Sequence, residues 1–548
     1  MLSFRARQAS YRVNVVESYA ELREAPIVDG RVYTLLGRET PGDDGAGTFD
    51  CTDDNLTTPI ANDPLYGHFV KHATLAASAG GFRRRGSLYR SSPGFFGAKG
   101  DAVADDHPAT QGMANFLGAS FTGKHRGGTG DITRRHALGD TLLLASRNVR
   151  LRGLGTERGV AGASSQGASL LIGTKTTGPI VRVRESDIRL EGFEIRSSAA
   201  RLAGGVSDTG EAIPAGVYVA PTDGGAGISR IRFKEMLFRD NFEDGFHVAG
   251  DVVRMYVEDC GANVSGRHGG FIDDGTLNAR ANKARPGQIY VNVLVVLDSQ
   301  GYNFCAGNPS ETASGAPYRV LGFGIESIRG GINSAKCFAG MHGSVLLSGE
   351  QVITDLCGFS GTTTGNVEDH AGLILSAAVA KMGAGNRYVN CGGDAYVIIP
   401  DNPNYTESHI EFEGAVAATD PSALPYFAKI HATTSRIRFP NTRNTAKGFT
   451  TLTDKDTLTI ASGAVRVMLA RHILSAETGT ADDLTTLNGG VPGDRAILTA
   501  TPGHTITVKN TANIACTPDR ILTGDAMMEV ECNAAGTGWR CISYEGNA

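Results

Sequence analysis

A chain of 548 residues with 52 Lys+Arg against 57 Asp+Glu has a net charge of only -5, no field for drawing in nucleic acid or an anionic membrane. Its 72 glycines, about 13% against an average near 7%, follow no Gly-X-Y period, and 41% hydrophobic residues exclude a disordered chain. A turn-rich all-β architecture too large for one compact core is what remains.

The first residues, MLSFRARQASYRVNVVESYAEL, contain no apolar h-region, and no run in the chain approaches 18 apolar residues. Neither a signal peptide nor membrane insertion is expected. Residues 1–92 mix short strands with polar loops such as PGDDGAGTFD and read as an N-terminal leader domain. The basic run Arg83–Arg85 is expected in a solvated Gly/Ser loop.

FFGAKGDAVADD, Phe95 to Asp106, then sets closely spaced glycines before a helical pattern. Gly94, Gly97 and Gly100 permit backbone angles closed to other residues. Asp105 or Asp106 is placed to cap a short helix, with Pro108 tolerated in its first turn. Ala109, Met113, Phe116 and Leu117 form the apolar stripe. Such a helix would plug the open end of a stack of strands. GxxxxGK[ST] is missing, which excludes a phosphate loop, and so is a calcium-type acidic ladder.

From 93 to 445 short β-patterned runs alternate with Gly/Asn/Asp turns. IVRVRESDIRLEGFEIRSS puts Val181, Val183, Ile188 and Leu190 inward at period two, with arginines and Glu191 outward. The phase slips at Gly192, after which Phe193 and Ile195 point inward. Later runs, including ISRIRFKEMLF, DVVRMYVEDC and SHIEFEG, repeat the style and predict Phe233, Val257 and Phe412 inside. An irregular period of about 20 to 30 residues without helices predicts a solenoid of about a dozen coils. Chain handedness favours a right-handed parallel β-helix. Nine scattered cysteines without a CxxC pair argue against zinc and a disulfide framework. Cys260, Cys357 and Cys391 are read as small buried residues at equivalent turns. Neither metal nor cofactor is expected. Residues 446–548 sharpen into a compact C-terminal β-domain with Trp539 partly buried.

FFGAKGDAVADD resembles the entrance motif of pectate-lyase-like right-handed β-helices common in bacteriophage tailspikes. Ala102 stands where that family commonly has glycine. YAELREAP with GRVYTLLGRETPGDDGAGTFD is similar to the leader of such tailspikes, and DTLLLASRNVRLRGLGTE to their first coils. DDLTTLNGGVPGDRAILTATPGHTITVKNTANI resembles a β-domain that often follows these rods in phage proteins. The resemblance implies a homotrimeric component of the virion tail, made in the host cytoplasm and attached to other tail proteins. It implies recognition and hydrolysis of a bacterial surface polysaccharide. A non-enzymatic glycan-binding fibre and a polysaccharide lyase are the alternatives.

Glycoside hydrolysis needs two carboxyls about 5–5.5 Å or about 6.5–9.5 Å apart. Equivalent outward positions on neighbouring coils, about 4.8 Å apart, can supply either spacing. NFEDGFHV and GRHGGFIDDGT are the densest candidates. Glu243, Asp244, Asp273 and Asp274 are the expected catalytic carboxyls, on comparable turns of two consecutive coils. His247, Arg267 and His268 are the expected substrate-binding residues; in a lyase, Arg267 and His268 would neutralise the uronate and remove its proton. Aligning the Gly-Phe steps sets Phe246 against Phe271, both inward. Any one carboxylate can equally be a turn residue bonding its own backbone. Glu326 with Asp298, and Glu368, Asp369 and His370, are thinner candidates. No Gly-x-Ser-x-Gly elbow indicates an esterase.

Overall fold

A computed structural model describes residues 14–121, 127–155, 169–203, 214–222, 225–273, 287–297 and 304–306, the strand backbones between 318 and 438, and residues 456–467, 471–488, 495–533 and 537–546. The chain divides into two compact units, Met1–Ile430 with Arg436–Thr442, and His431–Ser435 with Arg443–Ala548.

In the first unit every strand from Arg90–Ser91 to Arg436–Arg438 pairs in parallel with a strand of the next coil. This is a parallel β-helix. Ten strands, from Leu142–Leu144 to Ala428–Ile430, build one sheet, and nineteen build another that spans two faces of the coil. Long strands such as Val252–Ser265 run through the bend between those two faces.

The bends explain how polar sequence closes each coil. At the first, Asn148, Asp187, Arg230, Arg254 and Gln288 occupy successive rungs with φ between 58° and 64°. Gly192, Glu235 and Asp259 do the same at the second, and Asp240 and Val264 at the third. One left-handed residue per bend turns the strand and lets the period-two pattern restart, which is why the sequence phase slips at Gly192.

Inward residues then stack on their own kind. Leu151, Leu190, Phe233, Val257 and Val291 share one column and are all fully buried. Val183, Val219, Val248, Ile272 and Ala306 form another. Each such large side chain contributes about 1.5–3 kcal/mol by leaving water. Phe412 lies in the strand His409–Phe412, but its side chain is outside the described residues.

Helix His107–Phe121 closes the entrance as expected, with Ala109, Met113, Phe116 and Leu117 in the rod's core. Asp106 does more than cap it. Its backbone carbonyl accepts from Thr110 N, while its carboxylate accepts from Lys99 N at 2.7 Å, Gly100 N at 2.9 Å and His136 Nδ1 at 2.8 Å. The glycine turn is therefore tied to the helix start through one carboxylate. Ala102 adopts φ 66°, so the departure from glycine falls where only glycine is unstrained.

Upstream, strands Asn14–Val16, Val32–Leu35, Gly47–Thr52, Gly81–Arg84 and Phe69–Lys71 form a mixed sheet around Phe49 and Phe82. The expectation of a solvated loop at Arg83–Arg85 fails at Arg84. Its guanidinium is buried and donates to the carbonyls of Gly67, Ala46 and Gly45 at 2.7–2.8 Å.

In the second unit a six-stranded and a three-stranded sheet enclose Leu498, Ile506, Leu522 and Met528. Trp539, expected partly buried, is 3% exposed in this core. Cys260 is buried directly after the bend at Asp259; Cys357 and Cys391 lie outside the described residues.

Candidate functional site

The candidate residues meet on the outer side of the ten-stranded sheet. Strands Phe246–Val248 and Gly270–Ile272 are consecutive rungs, paired Phe246 to Gly270, His247 to Phe271 and Val248 to Ile272. The expected match of Phe246 with Phe271 is one residue out. A Cβ at Gly270 would sit 2.5 Å from the Phe246 ring, so the inward phenylalanine needs glycine on the next rung. Phe271 therefore turns outward and lies 4.7 Å from the His247 ring.

Asp244 and Asp273 flank these strands and hold His247 between them. His247 Nδ1 lies 2.9 Å from Asp244 Oδ2, and Nε2 lies 3.4 Å from Asp273 Oδ2. Arg267 binds both oxygens of Asp244, through Nε at 2.9 Å and Nη2 at 2.5 Å. His268 N adds a third donor at 3.2 Å. Arg267 Nη2 also reaches Glu243 Oε2 at 3.3 Å.

All three members of the Asp–His–Asp line are at most 1% exposed. Burial alone would raise the Asp244 carboxyl and lower the His247 imidazole. Arg267 and His247 outweigh burial and hold Asp244 well below the ordinary carboxylate range. The two carboxylates likewise outweigh burial at His247 and raise it. An imidazolium donating to both sides has no lone pair with which to take a proton. The line is a locked charge network.

Chemistry with access to solvent sits at its edge, on Glu243 and Arg267, whose side chains are 18% and 26% exposed. His268 is 9% exposed, beside Phe271. Asp244 and Asp273 are buried, and their recorded partners are His247, Arg267 and His268. Asp274 lies outside the described residues, as do Asp298, Glu368, Asp369 and His370. Glu326 pairs with Val295 in the nineteen-stranded sheet; its side chain lies outside the described residues.

Two residues escaped the sequence reading. Tyr218 packs edge-on against His247 at 5.2 Å, and the Arg182 guanidinium lies 4.0 Å over the Tyr218 ring. Both are the outward middle residues of VRV and VYV on the two preceding rungs. The inward valines of those triplets carry the signal. Arg201 completes the surroundings: burial pushes it down to about 10, against the opposing pull of Glu243.

No family model and no curated protein matches the chain. Among solved structures it is similar to an enzymatically active domain of tailspike protein 2 from bacteriophage CBA120, at 13% identity and TM-score 0.45, covering 81% of this chain and 58% of that one. It is similar to the gp42 tailspike of Acinetobacter phage vb_AbaP_AS12, at 11% identity and TM-score 0.47, over 98% and 94% of the two chains. A third is gp49 of Acinetobacter baumannii bacteriophage Fri1, described as a capsular polysaccharide depolymerase, at 10% identity and TM-score 0.39, over 79% and 77%. All three are phage tailspikes. The chain spans about half the length of the two CBA120 tailspike 2 structures.

Proposed function

We propose that this chain is a tailspike-like receptor-binding protein of a phage virion, one that binds a bacterial surface polysaccharide and hydrolyses it. The observation that carries the reading is the meeting of Glu243 and Arg267 at the solvent edge of a fixed charge network. Consecutive coils supply these groups at one rung spacing, and a repeating polymer meets repeating rungs. Glu243 is the proposed reacting carboxyl, Asp274 its partner, and Arg267 and His268 the groups that hold sugar oxygens. Asp244, Asp273 and His247 position them. The homotrimer and the tail attachment belong to the same proposal, through the entrance and leader motifs.

Incubation with capsular or O-chain polysaccharide from candidate hosts tests it. Hydrolysis releases reducing ends without ultraviolet absorbance; a lyase leaves absorbing unsaturated ends. Glu243→Gln should lower the rate at least 100-fold, the usual scale for a general acid or base, while glycan binding persists. Asp274→Asn should do the same. Full activity in both variants removes the site. The burial of the Asp–His–Asp line favours one second reading, an adhesin that binds without cleaving. Tight retention of the glycan with no oligosaccharide release establishes it.

A further inference from the structure

The nineteen-stranded sheet carries outward side chains that the carboxylate cluster does not use. In one column Arg150 pairs with Arg189, Arg189 with Arg232, Arg232 with Tyr256, and Tyr256 with Tyr290, each on the next coil. Two residues along, a second column runs Arg152, Glu191, Lys234 and Glu258. The residues between the columns are the buried Leu151, Leu190, Phe233 and Val257, so by strand alternation both columns point away from the core.

These rungs hold five cations against two carboxylates, in a chain whose net charge is -5. Both carboxylates are already taken: Arg150 Nε donates to Glu191 and Arg232 Nε to Glu258, each at 2.8 Å. Lys234 lies 3.3 Å from Glu235. Arg152 and Arg189 are exposed and make no ion pair among the described residues. The strip is locally cationic, and its two open guanidiniums stand on adjacent coils. Arg150 to Tyr290 covers four rung spacings, about 19 Å.

We propose that this strip is a second glycan-binding site and that its ligand is an acidic polysaccharide bearing carboxylates along its length. It rests on the reading of the chain as a polysaccharide-binding protein and adds the charge class of the polymer. The guanidinium fork matches a carboxylate with two parallel hydrogen bonds, and the adjacent coils of Arg152 and Arg189 each offer one open fork to a polymer lying along the rod. Tyr256 and Tyr290 continue the strip. Their rings stack on each other at 4.9 Å and 8°. Their hydroxyls and ring edges suit a hydroxyl-rich sugar. The strip and the Glu243 cluster lie on different sheets, so the strip acts on binding and leaves the chemical step alone.

The test uses the full chain and a panel of purified capsular polysaccharides, half uronate-bearing and half neutral, with single-stranded DNA as a third arm. The wild type should retain one or more uronate polymers and no neutral one, with affinity falling at least tenfold as salt rises from 50 mM to 500 mM. Arg152→Ser with Arg189→Ser should weaken that binding at least tenfold, with unfolding midpoint and oligomeric state unchanged. In a cleavage assay KM should rise and kcat stay constant. Binding or cleavage of a neutral polymer only, unaffected by the variants, overturns the strip and leaves the proposed function standing. Binding of no polysaccharide removes both. Equal affinity for single-stranded DNA, or a change of oligomeric state in the variant, reassigns the strip to nucleic acid or to a second copy of the chain.

Discussion

His68, in the entrance region, and His247, in the coil cluster, are buried to the same degree, 2% and 1% exposed, and their surroundings shift their protonation in opposite directions. His68 stacks on Phe116 at 4.6 Å with Phe95 and Phe96 beside it, and among the described residues its ring bonds a hydroxyl, Ser91 Oγ at 2.7 Å. Burial, helped by the nearby Arg84 charge, pushes it down to about 3. His247 lies between two carboxylates that outweigh burial and raise it. Burial by itself therefore says nothing about charge; the atoms on the two ring nitrogens decide it. One histidine is a core aromatic, the other a ring held between two carboxylates.

The largest expected effect breaks the cationic side. Asp244→Asn leaves Arg267 and His247 without their shared counter-charge and should cost about 3 kcal/mol, the scale for losing one partner of a buried pair. Chemical unfolding at pH 7 measures it. A loss below about 1 kcal/mol would show that the network is not holding these coils.

Next come two pH limbs of opposite sign. His68 has its folded value depressed from 6.5 to about 3, so between these values the unfolded chain binds a proton that the folded chain does not. Its contribution is present above 6.5 and is lost as pH falls toward 3. His247 is raised, so its contribution is complete below 6.5 and is lost as pH climbs through its folded value. His68→Phe should flatten the acid limb between pH 6.5 and 4, and His247→Gln the alkaline limb. Unfolding free energies across pH 4–9 check both. Asp244 leaves both limbs unchanged over this range, because its depressed value makes its contribution fall away only below 3.8.

Smaller gains are expected from backbone strain, one in each region. Ala102 near the entrance and Val264 at the third bend of the cluster's coil have φ of 66° and 52°. A left-handed L-residue costs about 1–2 kcal/mol, and a β-branched one belongs at the upper end. Ala102→Gly and Val264→Gly should each stabilise by about 1 kcal/mol, with Val264 the larger, read as shifts in the denaturant midpoint. The smallest effect sharpens the comparison from outside. Glu258 accepts from Arg232 as Asp244 does from Arg267, but its side chain is 25% exposed. Glu258→Gln should cost less than about 1 kcal/mol by the same assay, because water already screens the pair.

Most of the coil was legible because a parallel solenoid repeats its sequence logic locally. VRV, IRL and FEI announce their inward residues by alternation alone, and Asn148, Asp187 and Asp259 announce bends by residue type. Arg230, Arg254 and Val264 sit in the same left-handed bends and carry no such signal; the neighbouring rung imposes their conformation. The cluster was legible as a neighbourhood, since Glu243, Asp244, His247, Arg267, His268 and Asp273 do come together. Their contacts were not. Alternation says that His247 points outward, but not that its outward side is covered.

By itself, then, the sequence determined what depends on nearest neighbours along the chain: the all-β class, the coil period, the inward columns, and the glycine turn and helix at the entrance. Tertiary structure decided what depends on contacts between rungs. Gly270 shifted the pairing by one residue because a phenylalanine ring on the previous rung needed its space. Arg84 left the expected loop for the core because three carbonyls were there to receive it. Asp244 became a fixed anion because the next coil brought Arg267 to both its oxygens, and no spacing within one coil encodes which neighbour the coil above will supply.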